Sequence, residues 1–179
     1  MAKQYPDISE TLQGFIESQK MYFVATAAKD GRVNVSPKGM DTFRILDRNK
    51  VMWLNLTGSG NETAAHLQDS NRMTIMFCAF EDRPMILRLY GTANVFHPRD
   101  PEWSEKTALF PNLPGSRQVF EMTIDLVQTS CGFAVPLFDY QGDRDNLTTW
   151  ATNKGEEGIQ KYWEEKNQVS MDGKPTGIF

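Results

Sequence analysis

The sequence of 179 residues contains few of the side chains that most often bind metals or act as nucleophiles, since it has two cysteines and two histidines. Cys78 and Cys131 are too few for a disulfide framework or a structural zinc site. His66 and His97 lie far apart and show no ligand spacing, and neither accompanies a G-x-S-x-G nucleophile motif. We therefore expect no metal site and no catalytic triad, and the sequence assigns no catalytic residue.

An excess of basic residues is also missing, because 19 Lys and Arg stand against 23 Asp and Glu, giving a formal net charge of −4. This balance argues against nucleic-acid binding, although a single phosphate group needs only a local pocket. No apolar run approaches the ~18 residues of a membrane-spanning helix, and the first residues lack the apolar core of a signal peptide. We expect a soluble, cytoplasmic protein with neither a membrane nor a nucleic-acid partner.

What the chain does have is alternation of apolar and polar residues in short segments separated by turn signals. Apolar residues make up 40% of the sequence, which suffices for one hydrophobic core. The pair Asp30-Gly31 is a strong hairpin signal between two such segments. Consecutive hairpins predict antiparallel neighbours, and a barrel would remove the sheet edges. The pattern predicts six or seven strands, over residues 21–28, 32–36, 43–46, 51–56, 72–80, 85–95 and 119–127.

Helical patterns flank and interrupt these strands. The first begins near Asp7, which is spaced from Glu10 as a helix cap, and has apolar residues at a helical period. Further helices are predicted at residues 59–70, after Asp100-Pro101, and over residues 146–167 with a break near Gly155 and Gly158. The fold class is therefore mainly β with helices, an α+β arrangement. We expect a barrel over residues 1–130 and a partly helical extension of the same domain over residues 131–179.

Residues 53–63 (WLNLTGSGNET) are the most informative segment for function. A strand runs into a turn with two glycines and then into a helix. Small residues let backbone N–H groups approach an anion, and the start of a helix adds partial positive charge. The alternative is an ordinary loop in which Ser59 and Glu62 form a capping box. The motif is neither a Walker loop nor G-x-G-x-x-G.

Two further segments carry polar residues in positions that favour ligand binding. Residues 34–39 (NVSPKG) present a polar strand face, a rigid bend and Lys38, which suit a flat heterocycle and its phosphate. The alternative is a strand that ends in a solvated Lys. Arg88 lies inside the apolar strand ILRLY and, if that face is buried, needs a partner. That partner is either a carboxylate of the protein or a ligand anion.

Taken together, these segments resemble the pyridoxamine 5′-phosphate oxidase-like flavoproteins, the FMN-binding split-barrel family. The resemblance extends from the first helix to about Val95 and rests on the order and spacing of residues 22–26, 30–39, 53–63, 71–72 and 89–91. It implies a six-stranded antiparallel split barrel that forms a homodimer. It also implies two FMN molecules in clefts between the subunits.

The resemblance also implies a set of cofactor-binding residues: Ser36, Pro37, Lys38, Gly39, Asn55, Thr57, Ser59, Gly60, Asn61, Thr63 and Arg88. The first four would line the flavin and reach toward its phosphate, and the next two would contact the ring edge or the ribityl chain. The four residues from Ser59 to Thr63 would hold the phosphate, while Arg88 would lie near the cofactor on a following strand.

The sequence departs from true pyridoxamine 5′-phosphate oxidases at two places. Their Arg-Lys pair in the phosphate turn is replaced here by Gly60-Asn61-Glu62-Thr63, and their C-terminal Arg-containing substrate motif is not recognisable. We therefore do not expect vitamin B6 oxidation. The resemblance implies an FMN-dependent oxidoreductase or flavin reductase acting on an unknown small molecule. The alternatives are a non-catalytic flavin-binding or stress-related sensory protein, a cofactor-free dimeric interaction barrel, or a relative that binds a deazaflavin or haem.

Overall fold

The computed structural model describes residues 2–81 and 83–179. Met1 and Asp82, the latter in the turn predicted between the strands at 72–80 and 85–95, lie outside the described residues. The strands are β1 (Lys3–Tyr5), β2 (Met21–Thr26), β3 (Asn34–Gly39), β4 (Phe43–Asp47), β5 (Lys50–Leu56), β6 (Arg72–Cys78), β7 (Ile86–Phe96) and β8 (Ser116–Ser130). The helices are α1 (Glu10–Ser18), α2 (Glu62–Asp69), α3 (Trp103–Thr107) and α4 (Asn146–Lys166).

All of the described strands belong to one antiparallel sheet, in the order β3-β2-β6-β7-β8-β5-β4, with β1 added beside β8. The predicted class, mainly β with helices in an antiparallel split barrel, is confirmed. The six strands implied by the resemblance, and the six or seven predicted from the pattern, are too few, because the described residues form eight. The three residues of β1 are too few to show alternation. They pair with the end of β8, which has 15 residues and also pairs with β5 and β7.

The two ends of the sheet, β3 and β4, are where the barrel is split. The sequence predicted that the first of these strands would end at Pro37, but β3 continues through Pro37 to Gly39, with Pro37 opposite Phe23 of β2. An edge strand tolerates proline because one of its sides has no strand partner that needs the missing N–H group. The polar residues Asn34, Ser36 and Lys38 alternate with outward-facing positions along this strand.

The core fills the curl of the sheet. Trp53 of β5 stacks on Phe120 of β8, with ring centroids 4.4 Å apart, and both side chains are fully buried. Helix α1 packs on this core through Leu12 and Ile16, which belong to the apolar residues of helical period predicted from the sequence.

The helix ends follow the sequence only in part. The cap of α1 is Ser9, whose side chain accepts from the N–H of Leu12, and not Asp7, which pairs with Arg48 instead. The predicted break near Gly155 is present, since Gly155 has a φ of 66° inside α4, a value that glycine adopts readily. Among the described residues, no helix is long and apolar enough to cross a bilayer.

Gly91 of β7 provides a test of this packing. A Cβ at Gly91 would lie 1.9 Å from the backbone oxygen of Thr123 on β8, so Gly91→Ala must push two core strands apart. We expect a loss of about 3 kcal/mol or more in the free energy of unfolding, measured by urea denaturation. The matched control is Gly14→Ala in α1, where no atom lies within 4 Å of the added Cβ. This control should gain about 0.5–1 kcal/mol, and equal effects of the two substitutions would contradict the described β7–β8 packing.

Candidate functional site

A cleft of about 360 Å³ opens at the split of the barrel, between β3, the end of β5, the start of α2 and the start of β8. The turn between β5 and α2 forms one wall. The cleft joins the two segments that the sequence singled out, residues 34–39 and 53–63, which lie on different strands. The predicted site residues that line it are Ser36, Pro37, Lys38, Asn55, Ser59, Gly60, Asn61 and Thr63.

Three other predicted residues do not line this cleft. Gly39 lines a larger neighbouring groove. Thr57 is buried, donates from Oγ1 to the carbonyl of Gly115 at 2.8 Å, and accepts at 2.8 Å from the indole N–H of Trp163. Arg88 lies half-buried on β7 and donates to Ser130 at 3.3 Å. Thr57 therefore connects the β5 turn to α4, and Arg88 makes its contact on the β7–β8 pair.

Lys38 extends from the edge strand across the split. Its ammonium group donates to Oδ1 of Asn55 on β5 at 3.0 Å and lies 5.0 Å from the ring centroid of Trp53. Asn55 is held in this orientation because its Nδ2 donates to Oε1 of Gln118 at 3.0 Å. Burial, followed by the charge of Arg117, lowers the pKa of Lys38 from 10.5 to about 8. Because this pKa is lower in the folded state, the free energy of unfolding of the ligand-free protein rises with pH between about 8 and 10.5.

Arg117 is the second cation of the cleft. It is not among the site residues predicted from the sequence. It lies at the start of β8, is 2% exposed, and donates to the carbonyl of Gly60 at 3.0 Å and to Oδ1 of Asn167 at 2.7 Å. Burial lowers its pKa to about 10. No local motif marks Arg117, because its place beside the cleft depends on the pairing of β8 with β5, which sets Gln118 opposite Asn55.

The two cations share a cleft, yet their hydrogen bonds go to neutral groups. In the described parts of the chain, neither Lys38 nor Arg117 forms an ion pair with a carboxylate. Arg117 is buried and Lys38 is half-buried, and charges removed from water normally have a partner of opposite sign. Two such cations at one cleft are the arrangement expected of a binding site for an anion, in which the ligand provides the missing charge.

Polar atoms without partners collect around the same place. Buried side-chain atoms that make no hydrogen bond within the described structure include Trp53 Nε1, Arg117 Nε, Gln118 Nε2 and Asn61 Oδ1. Such groups are usually paired in folded proteins. Three of the four are donors, and they belong to residues that line the cleft or contact a lining residue. This donor-rich surrounding fits a ligand rich in acceptor oxygens, such as a phosphate with a polyol chain and a carbonyl-bearing ring.

The start of α2 also faces the cleft. Helix α2 begins at Glu62, preceded by Asn61, which makes no side-chain cap bond, so the capping box of Ser59 and Glu62 does not form. The Glu62 carboxylate instead accepts from the backbone N–H of Met171 at 3.0 Å. The first N–H groups of α2 thus remain available for an anion, with the positive end of the helix behind them.

The remaining candidate groups from the sequence lie outside this lining. His66 bonds Thr26 at 3.0 Å, and burial lowers the pKa of His97 to about 4, so that His97 is neutral at pH 7. Cys78 and Cys131 are free thiols. Within residues 2–81 and 83–179, no group of three or more metal-binding side chains comes together.

A larger groove of about 840 Å³ adjoins the cleft, and Pro37 and Lys38 line both. Its other walls come from the end of α1, the β6–β7 connection and residues 138–147. Several walls are aromatic, and Phe80 packs on Phe138 with ring centroids 5.4 Å apart. Anion-binding groups at one end and an aromatic groove at the other suit a ligand with a phosphate and a flat ring.

The curled antiparallel sheet and the cationic cleft at its split define this chain as a split-barrel protein. The family model described as pyridoxamine 5′-phosphate oxidase matches residues 8–131, and the chain belongs to this family. The sequence is 35% identical to the pyridoxamine 5′-phosphate oxidase family protein ustO of Aspergillus flavus. That match covers 96% of this chain and 76% of ustO.

Solved structures of this fold are more distant in sequence. HupZ of Group A Streptococcus superposes with a TM-score of 0.54 at 21% identity, over 66% of this chain and 91% of HupZ. A suggested pyridoxamine 5′-phosphate oxidase of Lactobacillus delbrueckii also has a TM-score of 0.54, at 19% identity, over 69% of this chain and 94% of its own. These likenesses support the split-barrel fold.

The pKa of Lys38 predicts how anion binding depends on pH. Sulfate is a suitable probe because its charge is constant near neutral and alkaline pH. Its affinity should fall as the pH rises above about 8, by up to about tenfold per pH unit, since the ammonium group loses its proton there. Isothermal titration calorimetry at several pH values measures this.

Two variants separate this effect from general changes of the surface. Lys38→Met should bind sulfate more weakly and with little pH dependence over the same range. Lys20→Met, in the neighbouring groove and outside the cleft lining, should behave like the wild type. A wild-type affinity that stays constant between pH 7 and pH 9.5 would show that Lys38, with its pKa of about 8, does not bind the anion.

Proposed function

We propose that the cleft binds FMN and that the protein is an FMN-dependent oxidoreductase or flavin reductase acting on a small molecule. The observation that carries this proposal is the presence at one cleft of two cations, the half-buried Lys38 and the buried Arg117, which have no carboxylate partner among the described residues. Membership of the pyridoxamine 5′-phosphate oxidase family supports it. So does the adjoining aromatic groove, which offers room for a flat ring.

The cleft residues divide into groups for the two ends of FMN. Arg117 and the N–H groups at the start of α2 would hold the phosphate, together with the small and polar side chains of Ser59, Gly60, Asn61 and Thr63. The β3 residues Ser36, Pro37, Lys38 and Gly39 run from the cleft to the groove and would line the flavin. Thr57 would act indirectly through its bonds to Gly115 and Trp163. Contact of Arg88 with the cofactor stays a prediction.

Once bound, FMN would supply the redox chemistry, and the protein would supply binding, orientation and electrostatics. Lys38 would place a positive charge next to the flavin ring of FMN. This charge would stabilise negative charge on the bound flavin. Asn55 and Gln118 would hold the ammonium group of Lys38 in place. The groove beyond Pro37 has the volume of an ordinary small-molecule site and would accept the substrate.

A non-catalytic flavin-binding or sensory protein is the second candidate, and one observation favours it. Glu62 is the one carboxylate among the residues that line the described cleft, and it is bonded to the N–H of Met171. No carboxylate of this described lining therefore stands free for proton transfer. Steady-state oxidation of NADH and NADPH with a range of acceptors discriminates the candidates, because rapid turnover would exclude the binding-only function.

The FMN proposal predicts how two substitutions change affinity. Lys38→Ala and Arg117→Met should each weaken FMN binding by about 1–3 kcal/mol, or roughly 5- to 150-fold, because each removes a charged hydrogen-bond donor. Quenching of flavin fluorescence measures the affinity, after the absorption spectrum and the mass of any heat-released cofactor have been recorded. The control is Lys161→Ala, on a side chain that is 74% exposed in α4. A wild-type protein that stays colourless with added FMN would contradict the proposal.

We also propose that the protein is a homodimer with FMN at the subunit interface. The edge strand β3, whose other face lines the cleft, and the turn before it expose Val33 and Val35, at 70% and 60% of their full area. A second subunit would cover these side chains and exclude water from the flavin. Sedimentation should give about twice the chain mass of 20.4 kDa, and Val35→Glu should shift it toward the monomer. A wild-type monomer that holds FMN tightly would contradict this arrangement.

A further inference from the structure

We propose that Asn167 is a positioning residue of the anion site, and that residues 167–179 form part of this site through it. Asn167 would orient Arg117 and the backbone of residues 58–60, so that three consecutive amide N–H groups remain available for a phosphate. This inference rests on the proposed function, since the phosphate is that of FMN.

Asn167 is completely buried, and its amide connects the two walls of the cleft. Its Oδ1 accepts from Arg117 Nη1 at 2.7 Å, while its Nδ2 donates to the carbonyls of Gly58 at 3.1 Å and Ser59 at 3.4 Å. Both ends of one side-chain amide are therefore used. The β8 cation and the β5–α2 turn are set relative to each other by this single group.

These bonds also determine which side of the turn the N–H groups face. The carbonyls of Gly58 and Ser59 accept from Asn167, and the carbonyl of Gly60 accepts from Arg117 at 3.0 Å. In a trans peptide the N–H points opposite to the carbonyl. The N–H groups of Ser59 and Gly60 thus face away from Asn167, and the N–H of Asn61 faces away from the bond that Arg117 makes to Gly60. Within the described structure none of the three donates a hydrogen bond. Successive free N–H groups of this kind form a concave anion site.

An asparagine suits this place because it accepts a hydrogen bond without carrying charge. Oδ1 of Asn167 satisfies one N–H of the buried guanidinium and leaves its positive charge uncancelled. An aspartate would neutralise Arg117 and would present a second acceptor to the carbonyls of Gly58 and Ser59. The amide therefore preserves the charge that the ligand needs.

The rest of the C-terminal segment holds Asn167 in place. The carbonyl of Asn167 accepts from Thr176 Oγ1 at 2.6 Å and from Asn61 Nδ2 at 3.3 Å. Further along, Met171 donates to Glu62, and Asp172 pairs with Arg32 in the β2–β3 turn. The segment is thus attached to the beginning of α2 and to the edge hairpin, two of the elements that line the cleft.

Asn167 is also the residue that ends α4, and that role alone would make it important only for stability. The test therefore compares FMN with riboflavin, which lacks the phosphate. Asn167→Ala should weaken FMN binding by about tenfold or more and leave riboflavin binding within about twofold, since only the phosphate loses its oriented partners. General destabilisation would change both affinities.

Two further variants complete the design. The matched control is Ser170→Ala, which removes the side-chain bonds to the N–H groups of Asp172 and Lys174 in the same buried segment without touching Arg117 or residues 58–60. It should preserve the preference for FMN over riboflavin. Asn167→Asp should lose this preference at least as strongly as Asn167→Ala, because the carboxylate pairs with Arg117. Recovery of FMN binding in Asn167→Asp would overturn the proposal.

A readout without ligand separates this inference from the proposed function. In the ligand-free protein, Asn167→Ala should lower the NMR order parameters of the backbone amides of residues 58–61, because the carbonyls of Gly58 and Ser59 lose their partner, and Ser170→Ala should not. Unchanged order parameters in Asn167→Ala would overturn the positioning role whatever the flavin results are. If the wild type binds FMN no better than riboflavin, the proposed function fails. Lower order parameters in Asn167→Ala would then still support Asn167 as the residue that orders this turn.

Discussion

The structure around the cleft depends on keeping two cations, the half-buried Lys38 and the buried Arg117, at one cleft without an ion pair to a carboxylate of the described residues. Burial lowers the pKa of both Lys38 and Arg117, which means that the ligand-free protein bears an unfavourable electrostatic free energy at neutral pH. The groups that hold these cations are the neutral amides of Asn55 and Asn167 and the carbonyl of Gly60. Such groups satisfy N–H donors but leave the charge for a ligand. An anion in the cleft would remove this unfavourable electrostatic free energy, and the difference would contribute to the free energy of binding.

The sheet makes this arrangement possible because it brings rigid strands together at the split. The register of β5 on β8 places Asn55 opposite Gln118, and the stacked pair Trp53 and Phe120 lies two positions further along the same two strands. Lys38 reaches this layer from the edge strand β3. The charged groups are thus supported by fully buried core residues, so their spacing changes little when the surface loops move.

The positive charge of the cleft comes from other residues than in true pyridoxamine 5′-phosphate oxidases, which carry an Arg-Lys pair in the phosphate turn. Here the turn contributes glycine, asparagine and the N–H groups of the backbone, while β8 contributes Arg117. The carboxylate of Glu62, which lies in the turn that replaces the Arg-Lys pair, is engaged by the N–H of Met171. The C-terminal segment therefore modifies both the charge and the shape of a cleft that is otherwise built by the barrel.

The sequence by itself determined the antiparallel strands, the hairpin at Asp30-Gly31 and the two segments that carry most of the cleft lining. These features depend on alternation and turn residues within about ten positions, which can be read locally. Only the tertiary structure decided the rest. Arg117 and Asn167 meet residues 58–60 across more than 50 positions, and no local pattern encodes such contacts. The direction of the Thr57 and Arg88 side chains away from the cleft likewise depended on strand pairing and on the packing of α4.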